Sequence, residues 1–246
     1  MCGRYATTRT AVDLSALFDA DDEAEPLAPT WNAAPTDPVP VVRHTSDGRR
    51  GLRTARWGLV PAWSKEPRNG GRMINARAEA VAGTPAFAGA FATRRCLVPA
   101  DGWYEWRALD GRHSRSRKQP YFLTPRDGGV LAFAGLWAVW GRTPGSPAGQ
   151  LTTCSIVTTA ATGPLAAVHD RMPLFLHRQR WDEWLTGAPA PELLRPPGAA
   201  EVDGIELRPV GPAVGNVRNN GPDLVRQVPL VREPALFDTF FPDLDV

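Results

Sequence analysis

The cysteine at position 2 could do the most unusual chemistry in this sequence. Removal of the initiator Met, which is expected when the second residue is small, leaves Cys2 with a free α-amine beside its thiol. The pKa of such an amine is about 7.7–8.0, so a neutral fraction at pH 7 can add to an aldehyde. The thiol can then close on the imine carbon and form a thiazolidine ring. The alternative is that Cys2 is simply a small residue.

The run MINARAE, residues 73–79, offers two further polar groups. The amide of Asn75 could hold an amine or a sugar oxygen, and the guanidinium of Arg77 could bind a phosphate through paired N–H donors. The alternative is a turn before a helix, with Asn75 as the capping residue.

Glu105 lies within the run RRCLVPADGWYEW, residues 94–106, where an apolar strand turns at a Gly. Strand alternation places Trp103 and Glu105 on one face, and Tyr104 and Trp106 on the other. A carboxylate among aromatic rings is partly desolvated, which raises its pKa and suits proton transfer. The alternative is a surface strand with a solvated acid.

His169 is one of four histidines and follows an apolar run through a short loop, in VHDRMP. Histidine can move protons near neutral pH, and Arg171, two residues on, is another candidate for phosphate binding. A His–Asp pair such as this is more often structural than catalytic, so the segment does not decide the matter alone.

Charge is unevenly distributed along the chain. The formal net charge is only +2, but residues 43–126 carry 17 basic and six acidic residues, and 26 of the 28 basic residues are arginine. Such a segment could follow a nucleic-acid backbone, with bases stacked on Trp63 and Trp106. It could equally be an arginine-rich solvated surface.

The composition excludes several classes of protein. The chain has 246 residues, 43% of them hydrophobic, which predicts one large folded domain over residues 1–230 with a tail at 231–246. Three cysteines without a CxxC pair argue against a disulfide framework and a zinc site. No secretory signal is visible, and the longest apolar run, 130–140, is too short for a membrane span. We therefore expect a cytoplasmic protein.

Short strands dominate the predicted elements, and they do not alternate with long helices. This pattern predicts an α+β fold with a mostly antiparallel, barrel-like sheet flanked by short helices. Strands are predicted at 2–6, 39–42, 54–59, 95–99, 102–107, 121–124, 130–140, 151–159 and 205–210. Helices are predicted at 11–18, with Val12, Leu14, Leu17 and Phe18 on its apolar side, within 77–91, and at 178–185. Loops are predicted at 21–29 and 65–72.

Taken together, the motifs resemble those of the SOS-response-associated peptidase (SRAP) family of abasic-site processing proteins. They cover residues 2 to about 230 in the family's order, which makes the resemblance specific. The matching segments are MCGRYA at 1–6, WNAAP at 31–35, WGLVPAW at 57–63, INARAE at 74–79, RRCLVPADGWYEW at 94–106, QPYF at 119–122, IVTT at 156–159, VHDRMPL at 168–174 and PVGPAVGNVRNNG at 209–221.

The resemblance implies a protein of the DNA-damage response that recognises abasic sites in single-stranded DNA. It implies a covalent thiazolidine crosslink through Cys2, with peptidase and lyase-type side activities and without a metal or other cofactor. The family's catalytic positions match Cys2, Asn75, Glu105 and His169. Its DNA-contacting positions match Arg4, Arg77, Trp106, Arg171, Trp63 and Thr158.

We also expect a monomer that associates with the nucleoid when it is bound to damaged DNA. The segment 64–72 departs from the family pattern, because it is longer and richer in Arg and Gly. Two other classes stay open on the residues alone: a glutamine amidotransferase with an N-terminal cysteine nucleophile, and a non-enzymatic single-strand binder that uses the basic middle of the chain.

Overall fold

A computed structural model of the chain describes residues 2–109, 118–141 and 149–230. Thirteen strands and four α-helices lie within these ranges. The strands are β1 Tyr5–Thr7, β2 Asp21–Asp22, β3 Thr30–Ala33, β4 Pro38–His44, β5 Arg50–Trp57, β6 Asn75–Arg77, β7 Arg95–Ala100, β8 Gly102–Ala108, β9 Lys118–Pro125, β10 Leu131–Trp140, β11 Leu151–Ala160, β12 Arg171–Pro173 and β13 Ile205–Pro209. The α-helices are α1 Ala11–Phe18, α2 Ala88–Thr93, α3 Trp181–Thr186 and α4 Ala199–Asp203.

Five strands close into a small barrel in the order β4, β5, β11, β10, β7. Four of the five pairings are antiparallel, and the parallel pairing of β5 with β11 closes the ring. That closing contact is short, joining Arg56 to Thr153 and Trp57 to Cys154. Alternate residues of these strands fill the interior, which explains why the sequence shows short apolar runs rather than helical periodicity.

A second, antiparallel sheet has the order β13, β9, β8, β1, β3. The side chains on one face of this sheet pack against the barrel interior, and those on its other face form a smaller outer cluster. Tyr5 of β1 meets Trp57 edge to face at a ring separation of 5.1 Å, and Trp103 of β8 meets Phe133 at 6.1 Å. One aromatic cluster therefore joins both sheets, and the chain forms a single α+β domain, as expected.

Strand β11 pairs with more neighbours than any other strand described. Its first half pairs with β10, and its last three residues pair with β12. Its other edge meets β5 and then β6, with Ile156 opposite Asn75 and Thr158 opposite Arg77. This single strand therefore positions two segments that the sequence singled out for chemistry.

Helices α1, α2 and α3 lie against the outer face of the barrel. Helix α1 begins at a capping box, in which Thr10 and Asp13 bond each other's backbone N–H groups. Phe18 of α1 stacks on Trp181 of α3 at 4.5 Å, so these helices share one apolar cluster. Val12, expected on the apolar side of α1, is instead 74% exposed, because the helix buries only the Leu14 and Phe18 side.

Several predicted boundaries were wrong. The strand expected at 54–59 runs from Arg50 to Trp57, since its pairing with β4 extends to the hairpin turn at Asp47 and Gly48. The segment at 65–72 contains a short 3₁₀-helix at Pro67–Arg72 rather than only a loop. The helix expected at 178–185 is a 3₁₀ turn at Arg178–Arg180 followed by α3.

Four short strands were not predicted from the sequence. Strands β2, β3, β6 and β12 have only two to four residues each, and their partners lie far away in sequence. Residues 21–29, expected as a loop, include the two residues of β2. The predicted tail at 231–246 lies outside the described residues.

Candidate active site

Cys2 lies at the junction of the two sheets, just before β1. Its side chain is fully buried in the aromatic cluster that joins the sheets. Burial raises the pKa of its thiol well above the ordinary range, and the nearby carboxylate of Glu105 raises it further. The thiol is therefore protonated at neutral pH, and its use as a nucleophile requires a nearby proton acceptor.

Asn75 reaches Cys2 from strand β6. Its side-chain Nδ2 donates a hydrogen bond of 2.8 Å to the backbone carbonyl of Cys2. Its Oδ1 is buried, and within the described ranges no donor bonds to it. A buried acceptor without a partner is costly, so this oxygen is suited to an N–H or O–H group that arrives with a substrate. Asn75 thus begins a strand rather than capping a helix.

Glu105 lies on β8, with only 3% of its surface exposed. The predicted alternation is present: Trp103 packs in the cluster around Cys2, while Tyr104 and Trp106 pack on the opposite face. Burial raises the pKa of Glu105 to about 7. The carboxyl group is therefore close to half-protonated at neutral pH, which suits both proton uptake and proton release.

His169 faces Glu105 from the loop before β12. Its Nε2 lies 3.9 Å from Oε2 of Glu105. Its Nδ1 is 2.9 Å from the backbone N–H of Arg171 and 2.8 Å from a carboxylate oxygen of Asp170. The N–H favours a neutral ring and the carboxylate a protonated one. Burial lowers the pKa of His169, so the neutral ring, with its proton on Nε2 towards Glu105, dominates at pH 7.

These four residues form one constellation, although their places in the chain span 168 positions. Asn75 contacts Cys2, the charge of Glu105 acts on the Cys2 thiol, and His169 faces Glu105. The arrangement supplies a buried thiol, an amide acceptor, a carboxyl group with a pKa near neutrality and an imidazole. These are groups that can assist addition to a carbonyl and subsequent loss of water.

Two predicted phosphate-binding arginines flank this constellation. Arg77 is exposed at the end of β6, and among the described residues no acceptor bonds to its guanidinium. Arg171 is held on two sides, by a bidentate ion pair with Glu79 at 2.7 and 3.0 Å and by the backbone carbonyl of Thr158 at 2.7 Å. Thr158 itself is fully buried, so its side chain supports Arg171 and presents no surface here.

Arg4 is anchored within the protein. Its Nη1 donates to Oδ1 of Asn32 and to the carbonyl of Val214, both at 2.9 Å. Asn32 in turn donates to the carbonyls of Asn216 and Asn219. The network ties β1 and β3 to the loop after β13. Asn32 lies in the WNAAP motif, and Glu79, which holds Arg171, lies in the INARAE motif. No role was predicted from the sequence for either residue, although both motifs were recognised.

The two tryptophans singled out for base stacking differ in exposure. Trp63 is 67% exposed beyond the end of β5, which is unusual for so large an apolar ring. Trp106 is partly buried against the outer cluster of the second sheet. An exposed ring beside basic residues is suited to stacking on a base, whereas Trp106 offers only part of its surface.

No group of three or more His, Cys, Asp or Glu side chains in the described part of the chain is arranged to hold a metal ion. None of the helices there has the combined length and apolarity that crossing a membrane would require.

Comparison with known proteins gives close relatives by sequence. The chain is 34% identical to abasic site processing protein YoqW of Bacillus subtilis, covering 92% of this chain and 99% of the relative. It is 32% identical to abasic site processing protein YedK of Escherichia coli, covering 93% and 100%. It is 26% identical to abasic site processing protein HMCES of Xenopus tropicalis, covering 96% and 82%.

Solved structures share the fold. A protein of Bacteroides thetaiotaomicron superposes with a TM-score of 0.77 at 20% identity, covering 92% of this chain and 100% of that one. A phage-related protein of Bordetella bronchiseptica superposes with a TM-score of 0.66 at 31% identity, covering 85% and 94%. The model of the family described as SOS response associated peptidase (SRAP) matches residues 1–217. The chain belongs to the SRAP family.

Proposed function

We propose that this protein processes abasic sites in single-stranded DNA by forming a covalent thiazolidine crosslink through Cys2. The observation that carries the proposal is the contact set around Cys2: Asn75 on its carbonyl, and Glu105, with a pKa of about 7, beside its thiol. The relatives named above are abasic site processing proteins over nearly their whole length, which supports the same substrate here.

The first step of the proposed mechanism opens the sugar. An abasic deoxyribose exists mainly as a closed hemiacetal, which must open to an aldehyde before an amine can add. The minor form of His169 that is protonated on both ring nitrogens, with Asp170 beside Nδ1, donates its Nε2 proton to the ring oxygen as the C1′–O bond breaks, and Glu105 accepts the proton of the C1′ hydroxyl. The 3.9 Å separation of the two groups lets both reach one sugar.

The second step forms the Schiff base. The α-amine of Cys2, freed by removal of the preceding Met, adds to C1′ and gives a carbinolamine. Glu105, now protonated, gives its proton to the departing hydroxyl, which leaves as water, and the proton of the resulting iminium nitrogen returns to His169. The Oδ1 of Asn75, which accepts from no described donor, accepts an N–H of the amine and holds it towards C1′.

The third step closes the ring. The Cys2 sulfur adds to the imine carbon, and its proton passes by way of Glu105 to the imine nitrogen. One C–N bond and one C–S bond have then formed, one water has left, and no oxidant or reductant is needed. Without the thiol the imine would persist, which permits β-elimination and strand cleavage, and we propose this route for the lyase side activity.

The DNA strand would follow the arginines around the site. No described residue accepts from the Arg77 guanidinium, which can therefore bind a phosphate, and Arg171 is preorganised by Glu79, which lowers the entropy lost on binding. The exposed ring of Trp63 provides a stacking surface. We propose that Arg4 and Thr158 support this DNA-binding surface from within the protein and that Trp106 lies at its edge. The protein acts as a monomer in the cytoplasm, on the nucleoid when DNA is damaged.

The test uses a uracil-containing single-stranded oligonucleotide treated with uracil glycosylase. The wild-type protein is expected to give a heat-resistant shifted band on a denaturing gel. Cys2→Ala is expected to lose that band and to nick the strand, because its amine remains. Cys154→Ala, which also removes a buried thiol of the same core, serves as the matched control and keeps the band. A Cys2→Ala variant that still forms the heat-resistant band would refute the proposal.

A further inference from the structure

The barrel has a second opening, away from Cys2. Strands β5 and β11 pair only at Arg56–Trp57 with Thr153–Cys154, and they diverge towards Arg53 and Thr152. A cavity of about 450 Å³ lies there, lined by residues of β4, β5 and β11 and of the segment after β2. Thr152 is four residues from Ile156, the partner of Asn75, or about 13 Å along β11. The cavity is therefore separate from the active site.

Three arginines line this cavity: Arg43, Arg53 and Arg56. Arg43 lies over the ring of Trp137, with its guanidinium carbon 4.2 Å from the ring centre. Neither a hydrogen bond nor an ion pair joins Arg43 to another described residue. Burial and the like charge of Arg53 lower the pKa of Arg43. Its guanidinium is thus fixed in place by the ring while its polar edge stays unused.

The other two arginines are only partly engaged. Arg53 forms an ion pair with Glu23, and Arg56 donates from Nη2 to the carbonyl of Pro67. The Nε–H of each is buried, and neither finds an acceptor within the described ranges. Buried donors without partners are rare in folded proteins, so both side chains keep hydrogen-bonding capacity that their contacts with described residues do not use.

The charge balance of the cavity favours one kind of ligand. Three arginines face two carboxylates, those of Glu23 and Glu25, and Glu23 is already paired with Arg53. An oxyanion with several acceptor oxygens would offset the repulsion between Arg43 and Arg53 and accept from the unused N–H groups. Planar guanidinium donors suit phosphate in particular.

We propose that the opening between β5 and β11 is a phosphate-binding site built by Arg43, Arg53 and Arg56. The ligand is either a phosphodiester of a nucleic-acid strand or a free phosphate, since the recognising chemistry is shared. The proposal is independent of the covalent chemistry at Cys2, because it concerns the binding of intact phosphate groups at a different opening of the barrel.

The test compares Arg43→Gln with the wild-type protein in two assays. The first measures binding of undamaged single-stranded DNA by fluorescence anisotropy at several salt concentrations. If a phosphodiester is the ligand, Arg43→Gln binds about tenfold more weakly, and the slope of log affinity against log salt falls by about 0.7. The second assay measures the rise in melting temperature caused by inorganic phosphate, which Arg43→Gln loses if free phosphate is the ligand.

Two controls keep the outcome decisive. Arg226→Gln removes an exposed arginine that is paired with Asp223 outside the cavity, and it should behave as wild type in both assays. Arg43→Lys keeps the charge but not the planar donor edge, so it should restore the salt slope and only part of the affinity, which separates ligand binding from damage to the fold. Unchanged DNA affinity together with unchanged phosphate stabilisation in Arg43→Gln would overturn the proposal. Neither assay requires an abasic site, so failure here leaves the proposed function untouched.

Discussion

At the scale of single residues, Glu105 shows most clearly how burial creates chemical capability. A carboxyl group in water is ionised at neutral pH, whereas this one is 3% exposed and its pKa rises to about 7. The same burial that makes it a usable proton carrier makes its ionised form costly to the fold. The burial of Glu105 therefore lowers the stability of the fold at neutral pH and, at the same time, gives the carboxyl group its reactivity.

That opposition predicts a stability difference for Glu105→Gln. Between about pH 4.5 and pH 7 the folded protein binds a proton at Glu105 that the unfolded chain has released, so the free energy of unfolding falls as pH rises through this window. Glutamine lacks this penalty. We expect Glu105→Gln to gain on the order of 3 kcal/mol relative to wild type between about pH 5 and about pH 8, measured by urea unfolding. A constant difference would contradict the raised pKa.

The same variant should lose reactivity. If Glu105 accepts and returns a proton, Glu105→Gln should form the crosslink at least about 100-fold more slowly. The wild-type rate should rise through about pH 7 as the carboxyl group ionises, and the variant should lack that inflection. Initial rates from quenched denaturing gels measure both effects, with Cys154→Ala as the control. If Glu105→Gln kept the full inflection of the rate near pH 7, the inflection would belong to another titrating group.

At the scale of elements, the Arg- and Gly-rich segment after Trp63 is tightly placed rather than loose. Gly58 adopts a φ of +119°, and a Cβ built on it would lie 2.5 Å from the carbonyl oxygen of Gly70. A Cβ on Gly70 would come still closer to the backbone of Gly58. Two glycines thus let backbone meet backbone, and the 3₁₀-helix at Pro67–Arg72 is held against the end of β5.

This contact predicts that alanine is not tolerated at Gly70. Gly70→Ala should lower the free energy of unfolding by about 2 kcal/mol or more, because two backbones must separate. Gly71→Ala is the matched control, since its added Cβ would meet only Thr36 at 3.8 Å. Urea unfolding of both variants tests this. If the two variants were equally stable, the close approach of the Gly58 and Gly70 backbones would not contribute to the free energy of unfolding.

At the scale of the whole molecule, the two sheets share one core. Tyr5 and Trp103 come from the second sheet, and Trp57 and Phe133 come from the barrel, yet their rings contact one another. Neither sheet can lose its packing without exposing the aromatic faces of the other. The active site lies at this junction, so its geometry depends on both sheets together.

Unfolding should therefore be a single transition. Tryptophan fluorescence, which reports on the aromatic cluster, and far-ultraviolet circular dichroism, which reports on both sheets, should give the same midpoint in urea. Two separated midpoints would show that one sheet survives without the other and that the shared cluster does not couple them.

Local features of the fold and site could be predicted from the sequence, and distant ones could not. The capping box at Thr10 and the alternation around Glu105 depend on residues within a few positions, and both are present. The strand containing Asn75 has three residues, and its partner Ile156 lies 81 positions later. The support of Arg171 by Glu79 likewise spans 92 positions. No periodicity or local propensity carries information about such pairings.

Because β11 pairs with β10, β12, β5 and β6, it also limits how the chain can change in length. A residue inserted between Cys154 and Thr158 would turn every later side chain of the strand to the opposite face. It would also shift β12, with Arg171, by one position relative to β6, with Asn75 and Arg77. We expect insertions and deletions to be accepted between elements of this fold and rejected within β11.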